Sequence, residues 1–165
     1  MNRFIAILTI FLLQLCCMPV VSAADNNVQV ALQAFKVVTT AAGTKLVATD
    51  AAQPGDIIEY QVTYTNKGTT PARDVLATLP VPKGGLAYVP DSAAPAAVQA
   101  SLDGATYAPL PLTRSVMRAG KQVVENIPAA EYRFLRWKLG EIKPGASTTV
   151  SSRMRLDGAV NNVRS

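Results

Sequence analysis

The chain of 165 residues contains no histidine, and its two cysteines, Cys16 and Cys17, stand side by side in its first two dozen residues. Aromatic residues are sparse at 6%, and long charge runs are missing. Each absence closes a class of function. Without imidazole, no Ser-His-Asp triad can form. Zinc sites built from Cys and His, and Cys-His nucleophilic pairs, fall away with it. No Gly-x-Ser-x-Gly elbow and no Ser-x-x-Lys pattern occurs. Too few aromatics interleave with the cations for the stacking platforms that single-stranded nucleic acid needs. The sequence therefore points to no cofactor, no nucleic acid and no enzyme.

What is there begins with an apolar leader. Arg3 supplies a short basic start, FIAILTIFLLQLCCMPV an apolar run, and VSAAD a small-residue end. That order is the order of a secretory signal peptide, helical while it is attached. The expected cut follows Ala23, with Val21 and Ala23 in the small-residue positions, and a cut after Ala24 is the alternative. An uncleaved anchor is the rival reading, but the run is short for a span of roughly 20 residues. A lipoprotein site at Cys16 or Cys17 is disfavoured by the bulky Leu15 and by Cys16 preceding them. Cleavage after Ala23 leaves 142 residues with no thiol, so no disulfide can form although an exported compartment permits one. The expected localisation is the periplasm or the cell exterior, with no membrane span after cleavage.

Charge is distributed unevenly. Residues 25–110 carry 5 basic and 7 acidic side chains, whereas 111–165 carry 10 basic and 4 acidic. A basic C-terminal third favours anionic partners.

Beyond the leader, proline and glycine recur every 8 to 15 residues, and the segments between are rich in Val, Thr, Ile and Tyr with period-two alternation. That is the pattern of an antiparallel β-sandwich or barrel. Val28 to Val38 reads as a long first strand, with Val28, Val30, Leu32 and Ala34 on one face and a slip in the alternation near Phe35 and Lys36 that suggests a bulge or a change of sheet. Thr44 to Asp50 is a second strand. Gln53-Pro-Gly-Asp56 has the composition of a type II turn. In IIEYQVTYT, Ile58, Tyr60, Val62 and Tyr64 share the face expected to be buried. Asn66-Lys-Gly68 reads as a turn built on residues that tolerate left-handed backbone. Ala72 to Pro80 and Leu86 to Pro90 follow as strands, and Val98 to Leu110 reads as a hairpin turning at Asp103-Gly104. Thr113 to Ile127 reads either as a hairpin turning near Ala119-Gly120 or as a short helix at Arg114 to Lys121. Tyr132 to Gly140 and Ser147 to Asp157 read as a final hairpin around Lys143-Pro-Gly-Ala146. The expected organisation is a signal peptide (1–23), one sandwich domain (28–157) and a flexible tail (158–165).

PGDIIEYQVTYTNKGTTPARDVLATLPVPKGGLAYVPDSA, followed later by LRWKLGEIKPGASTTVSSRMRLD, resembles the conserved bacterial repeat domain known as "domain of unknown function 11". The shared features are the Pro-Gly-Asp turn, the I-x-Y-x-V-x-Y-x-N-x-G strand, the Leu-Pro strand end, the G-L-x-Y-V segment, and the Trp-x-Leu-Gly strand with its Pro-Gly turn. The resemblance spans about Val30 to Asp157. It implies an immunoglobulin-like β-sandwich in the cell envelope, with no catalytic residues to carry over. Family members occur as tandem modules, whereas this chain shows a single copy with an insertion at about 109–130.

Four constellations invite a chemical reading. Asp56 and Glu59 form the nearest candidate carboxylate pair for hydrolysis. Asp50, Asp56 and Asp74 could gather at the sheet ends around calcium, but no calcium-loop spacing concentrates them. Trp137 and Tyr60 suggest a sugar platform, yet both fall at inward positions. The most suggestive feature is the outward set Arg136, Lys138, Arg153 and Arg155. In a paired hairpin these cations would adjoin, and an acidic envelope protein or anionic surface polymer would relieve their repulsion. The expected function is a non-catalytic structural or binding module of the envelope, and the alternative is a carbohydrate-binding module or adhesin.

Overall fold

The alternating stretch after the Pro-Gly-Asp turn becomes the central strand of a β-sandwich. The computed structural model describes residues 27–48, 51–82 and 85–157. The expected signal peptide, the tail 158–165 and Asp50 lie outside the described residues.

Among the described residues, eleven strands run β1 (Val28–Thr40), β2 (Gly43–Ala48), β3 (Ile57–Asn66), β4 (Ala72–Pro80), β5 (Leu86–Tyr88), β6 (Gln99–Ser101), β7 (Ala108–Pro109), β8 (Thr113–Arg118), β9 (Lys121–Asn126), β10 (Phe134–Ile142) and β11 (Ser147–Leu156). A 3₁₀ turn at Ala129–Glu131 precedes β10. One sheet has the order β2-β1-β3-β11-β5 and the other β4-β10-β6-β7, while β8 and β9 form a separate ribbon. All pairings are antiparallel.

Side chains from the two sheets meet in one core. Val62, Tyr64, Val150 and Met154 come from the first sheet, and Ala77, Leu79, Ala100, Leu135 and Trp137 from the second. Each fully buried aliphatic contributes about 1.5–3 kcal/mol relative to exposure. Trp137 is a core residue, 1% exposed, and its indole Nε1 donates to the Pro95 carbonyl at 2.9 Å. This bond ties the 91–97 loop across the sandwich edge. Ala94 also exchanges two backbone bonds with Ser151, at 2.8 and 2.7 Å.

Both Pro-Gly turns take the type II form. Asp56 N–H donates to the Gln53 carbonyl (3.0 Å) and Ala146 N–H to the Lys143 carbonyl (3.0 Å). The glycines at the third position have φ of 91° (Gly55) and 73° (Gly145), which only glycine adopts without strain.

The structure departs from the sequence-based expectations at four places. First, the slip in β1 is not a bulge. The strand pairs with β3 through Val28–Lys36 and with β2 through Phe35–Thr40 in unbroken register. The apolar residues change face where the partner changes. Second, Asn66 is not a left-handed turn residue. It ends β3, 1% exposed, and pins its surroundings through its side chain. Its Nδ2 donates to the carbonyls of Thr70 and Ile142 (2.8 Å each), and its Oδ1 accepts from Gly68 N–H (2.9 Å). Because Ile142 belongs to β10, this amide clamps one sheet to the other. Third, β6 and β7 are joined by a six-residue loop (102–107) rather than a tight two-residue turn. Asp103 organises it, accepting at Oδ1 from the amides of Ala105 (2.8 Å) and Thr106 (2.9 Å) and from Ser101 Oγ (2.9 Å). Fourth, β10 and β11 do not form a hairpin. The Pro144-Gly145 turn arches from one sheet to the other.

Candidate functional site

That arch decides the fate of the four outward cations. Arg136 and Lys138 alternate with the buried Leu135 and Trp137 on β10, so they lie on the outer surface of the second sheet. Arg153 and Arg155 alternate with the buried Ser152 and Met154 on β11, so they lie on the outer surface of the first. The expected single basic face is therefore two separate pairs on opposite sides of the sandwich. Three of the four cations are also engaged. The Arg136 guanidinium stacks 3.4 Å above the Tyr107 ring, a cation–π contact. Arg153 Nε donates to Glu59 Oε2 at 2.9 Å, and Arg155 Nε to Asp157 Oδ1 at 3.0 Å.

The carboxylates of the Pro-Gly-Asp strand are equally committed. Asp56 accepts from Lys36 Nζ and from the Gln53 amide, both at 2.8 Å. These two bonds, the lysine's first, hold its carboxyl below the usual aspartate range. Glu59 is 9% exposed and accepts from Arg153 and from Gln61 Nε2 (2.9 Å). Neither carboxylate is arranged as a free acid or base. Among the described residues no three acidic side chains converge as a metal site, and Asp74 takes a left-handed φ of 52° in β4.

The residues that do converge lie in the segment 113–126. Alternation in TRSVMRAGKQVVEN folds as the β8–β9 hairpin, and Ala119-Gly120 make its two-residue turn with φ of 49° and 75°. Positive φ at both central residues matches the twist of such a ribbon. The helical alternative for 114–121 is not what forms. One face of the ribbon carries Arg114, Val116, Arg118, Lys121, Val123 and Glu125. Arg114 donates to Glu125 Oε1 (3.0 Å) and to Glu131 Oε2 (3.1 Å), and Arg118 to Glu125 Oε2 (2.7 Å). The Arg114–Glu131 pair braces the ribbon to the 3₁₀ turn on the body. The two arginines, Arg118 first, hold the Glu125 carboxyl below its usual range.

The opposite face carries Ser115, Met117, Gln122 and Val124. Met117 and Val124 are diagonal neighbours, 68% and 69% exposed. At the foot of the arm, Ile127 N–H donates to the Leu112 carbonyl (2.8 Å), and Leu112 N–H to Tyr132 Oη (3.1 Å). Beside these residues opens a cavity of about 390 Å³, lined by Tyr88, Asp91, Leu110, Asn126, Ile127 and Tyr132 among others. The Tyr88 and Tyr132 rings stack at 6.1 Å. Burial raises the Tyr88 hydroxyl above the usual phenol range, so it stays neutral. The cavity lining combines apolar side chains with Asp91 and Asn126.

Sequence reasoning offered the 113–127 hairpin as one of two readings but missed Met117 and Val124. Alternation in a two-stranded ribbon shows that two faces differ, not which of them the body covers. Scans of the chain against protein-family models, curated proteins and solved structures find no match.

Proposed function

We propose that this protein is an exported, non-catalytic module of a bacterial cell envelope, with an immunoglobulin-like arrangement of its sandwich, and that it works by contact through the β8–β9 arm. The observation that carries this reading is the outward face of the arm, where Met117 and Val124 adjoin and stand more than two-thirds exposed on a braced ribbon. Burying an exposed Met or Val in a partner contributes on the order of 1.5–3 kcal/mol each, and methionine adapts to irregular surfaces. The partner is an envelope protein. An anionic polymer is the weaker form of this reading, since the cations are divided between two surfaces. Among the described residues no helix is long and apolar enough to cross a membrane.

The test is capture from envelope extract by tagged protein and by the double variant Met117→Ser, Val124→Ser. The arm reading expects the wild type to retain a partner that the variant loses while circular dichroism is unchanged. Equal capture by both would refute it. A second reading, a carbohydrate-binding module, is favoured by the cavity at the arm's foot. Binding to a glycan array that Asn126→Ala abolishes and the arm variant preserves would select it.

A further inference from the structure

The first sheet has one edge that the fold leaves open. β1 pairs with β2 only through Phe35–Thr40, so among the described residues nothing pairs with the outer side of Val28–Ala34. Lys67 N–H donates to the Asn27 carbonyl on the β3 side, and Asn66 turns its own amide and carbonyl toward Ala146 and Gly145. Odd-numbered residues of β1 therefore direct their backbone groups at β3, and Val28, Val30, Leu32 and Ala34 direct theirs outward. Of the inward side chains of this segment, Val28 packs against the core, while the next two stand open. Val30 is 54% and Leu32 60% exposed.

Other edges carry protection against pairing. β4 has Arg73, Pro80, a left-handed Asp74 and two register shifts against β10. β7 is two residues long and ends in Pro109, β5 is three residues long, and β2 carries Lys45. Val28–Ala34 has no charge, no proline and no glycine. Its sequence, VQVALQA, is nearly a palindrome about Ala31: apolar residues stand one and three places away on either side, and glutamines two places away.

From this symmetry and the open backbone groups we infer that Val28–Ala34 is a self-association edge, at which a second copy of this chain adds its own β1 antiparallel about a two-fold axis through Ala31. In this register Val30 meets Leu32 of the other copy, Val28 meets Ala34, and Gln29 meets Gln33. The outward-directed residues pair with one another, and each such pair exchanges two bonds, about eight in all. Both copies' Val30 and Leu32 join in one apolar patch, while the glutamines line up on the other face. The like net charge of the copies meets no added repulsion at the seam, since the segment is uncharged. The interface is isologous and closes at two copies. Being one strand wide, it belongs to the weak, concentration-dependent class.

The experiment is sedimentation analysis of the whole protein from roughly 1 μM to 1 mM, the range a small interface populates. The expected result is a monomer–dimer equilibrium. Ala31→Lys and Ala31→Glu, which set like charges directly across the axis, each give monomer, and an equimolar mixture of the two restores dimer. Leu32→Pro removes an outward amide without touching the β1–β3 bonds, and also gives monomer. The arm variant Met117→Ser, Val124→Ser leaves the dimer intact. A wild type that stays monomeric throughout overturns the inference, as does a dimer that survives both Ala31→Lys and Leu32→Pro. Failure of the mixed lysine and glutamate variants to associate overturns the Ala31-centred register.

Discussion

Asn66 offers the sharpest test of what holds the two sheets together. Its amide makes three hydrogen bonds from a position 1% exposed, and one of them reaches the carbonyl of Ile142, itself 2% exposed, in the opposite sheet. In Asn66→Ala, Gly68 and Thr70 lie beside the exposed turn and can regain water, but the Ile142 carbonyl is stranded. A stranded buried acceptor costs about 1–3 kcal/mol and each of the two ordinary bonds about 0.5–1.5, so the variant should lose roughly 2–6 kcal/mol. Urea unfolding at constant m-value measures it. Asn66→Asp is more diagnostic. At pH 7 it points a carboxylate at two carbonyl oxygens where an amide donated, and should be less stable than the alanine variant. Burial and those carbonyls raise the new carboxyl's folded pKa above its unfolded value near about 3.9. The sign follows: protonation favours the folded state, so stability is gained as pH falls through the raised folded value and is complete below the unfolded one. The two variants should therefore converge or cross between neutral pH and roughly pH 4. An alanine variant within about 0.5 kcal/mol of wild type, a typical surface effect, would refute the clamp. So would an aspartate variant that tracks alanine at every pH.

The wild type should show the opposite acid response. Asp56, Asp103 and Glu125 are all held below their usual ranges, mainly by Lys36, by the Thr106 amide and by Arg118 respectively. Their contribution is whole above the unfolded carboxylate values and is lost as pH falls through the lowered folded ones, so urea midpoints should drop on acidification below roughly pH 4. Gly104→Ala should cost about 1–3 kcal/mol by the same assay, because a Cβ there would lie 2.9 Å from Phe134 Cε2 at a φ of 82°. Ala119→Asn should slow hydrogen exchange in the arm, a gain of about 0.5–1 kcal/mol, by relieving a left-handed φ of 49°. Ser152→Ala should stabilise by about 1 kcal/mol in thermal unfolding, since the Ser152 hydroxyl is fully buried and meets no partner among the described residues.

What could be read from sequence was whatever is written locally. The inward set Ile58, Tyr60, Val62 and Tyr64 follows from a period of two, and the Pro-Gly turns from backbone restrictions on two residues. Pairing between distant segments leaves no such mark. Alternation in 134–142 and 147–156 is equally consistent with a hairpin and with an arch, and only the arch divides Arg136 and Lys138 from Arg153 and Arg155. Likewise, Val30 and Leu32 carry the signature of a buried face, yet they stand 54% and 60% exposed. Asn66 looked like a turn former because its role as a cross-sheet clamp depends on Ile142, 76 residues away.

One consequence of the strand order concerns tension. β3 lies between β1 and β11 and is antiparallel to both, with nine paired positions on each side. Val28 opens β1 beside Asn66, whereas Leu156 closes β11 beside Asp56, so the domain is entered at one end of β3 and left at the other. A pull on the two ends would load both seams lengthwise, across a strand of roughly 30 Å. Their hydrogen bonds would have to shear together instead of unzipping one at a time, and β3 would act as the rod through which the force passes.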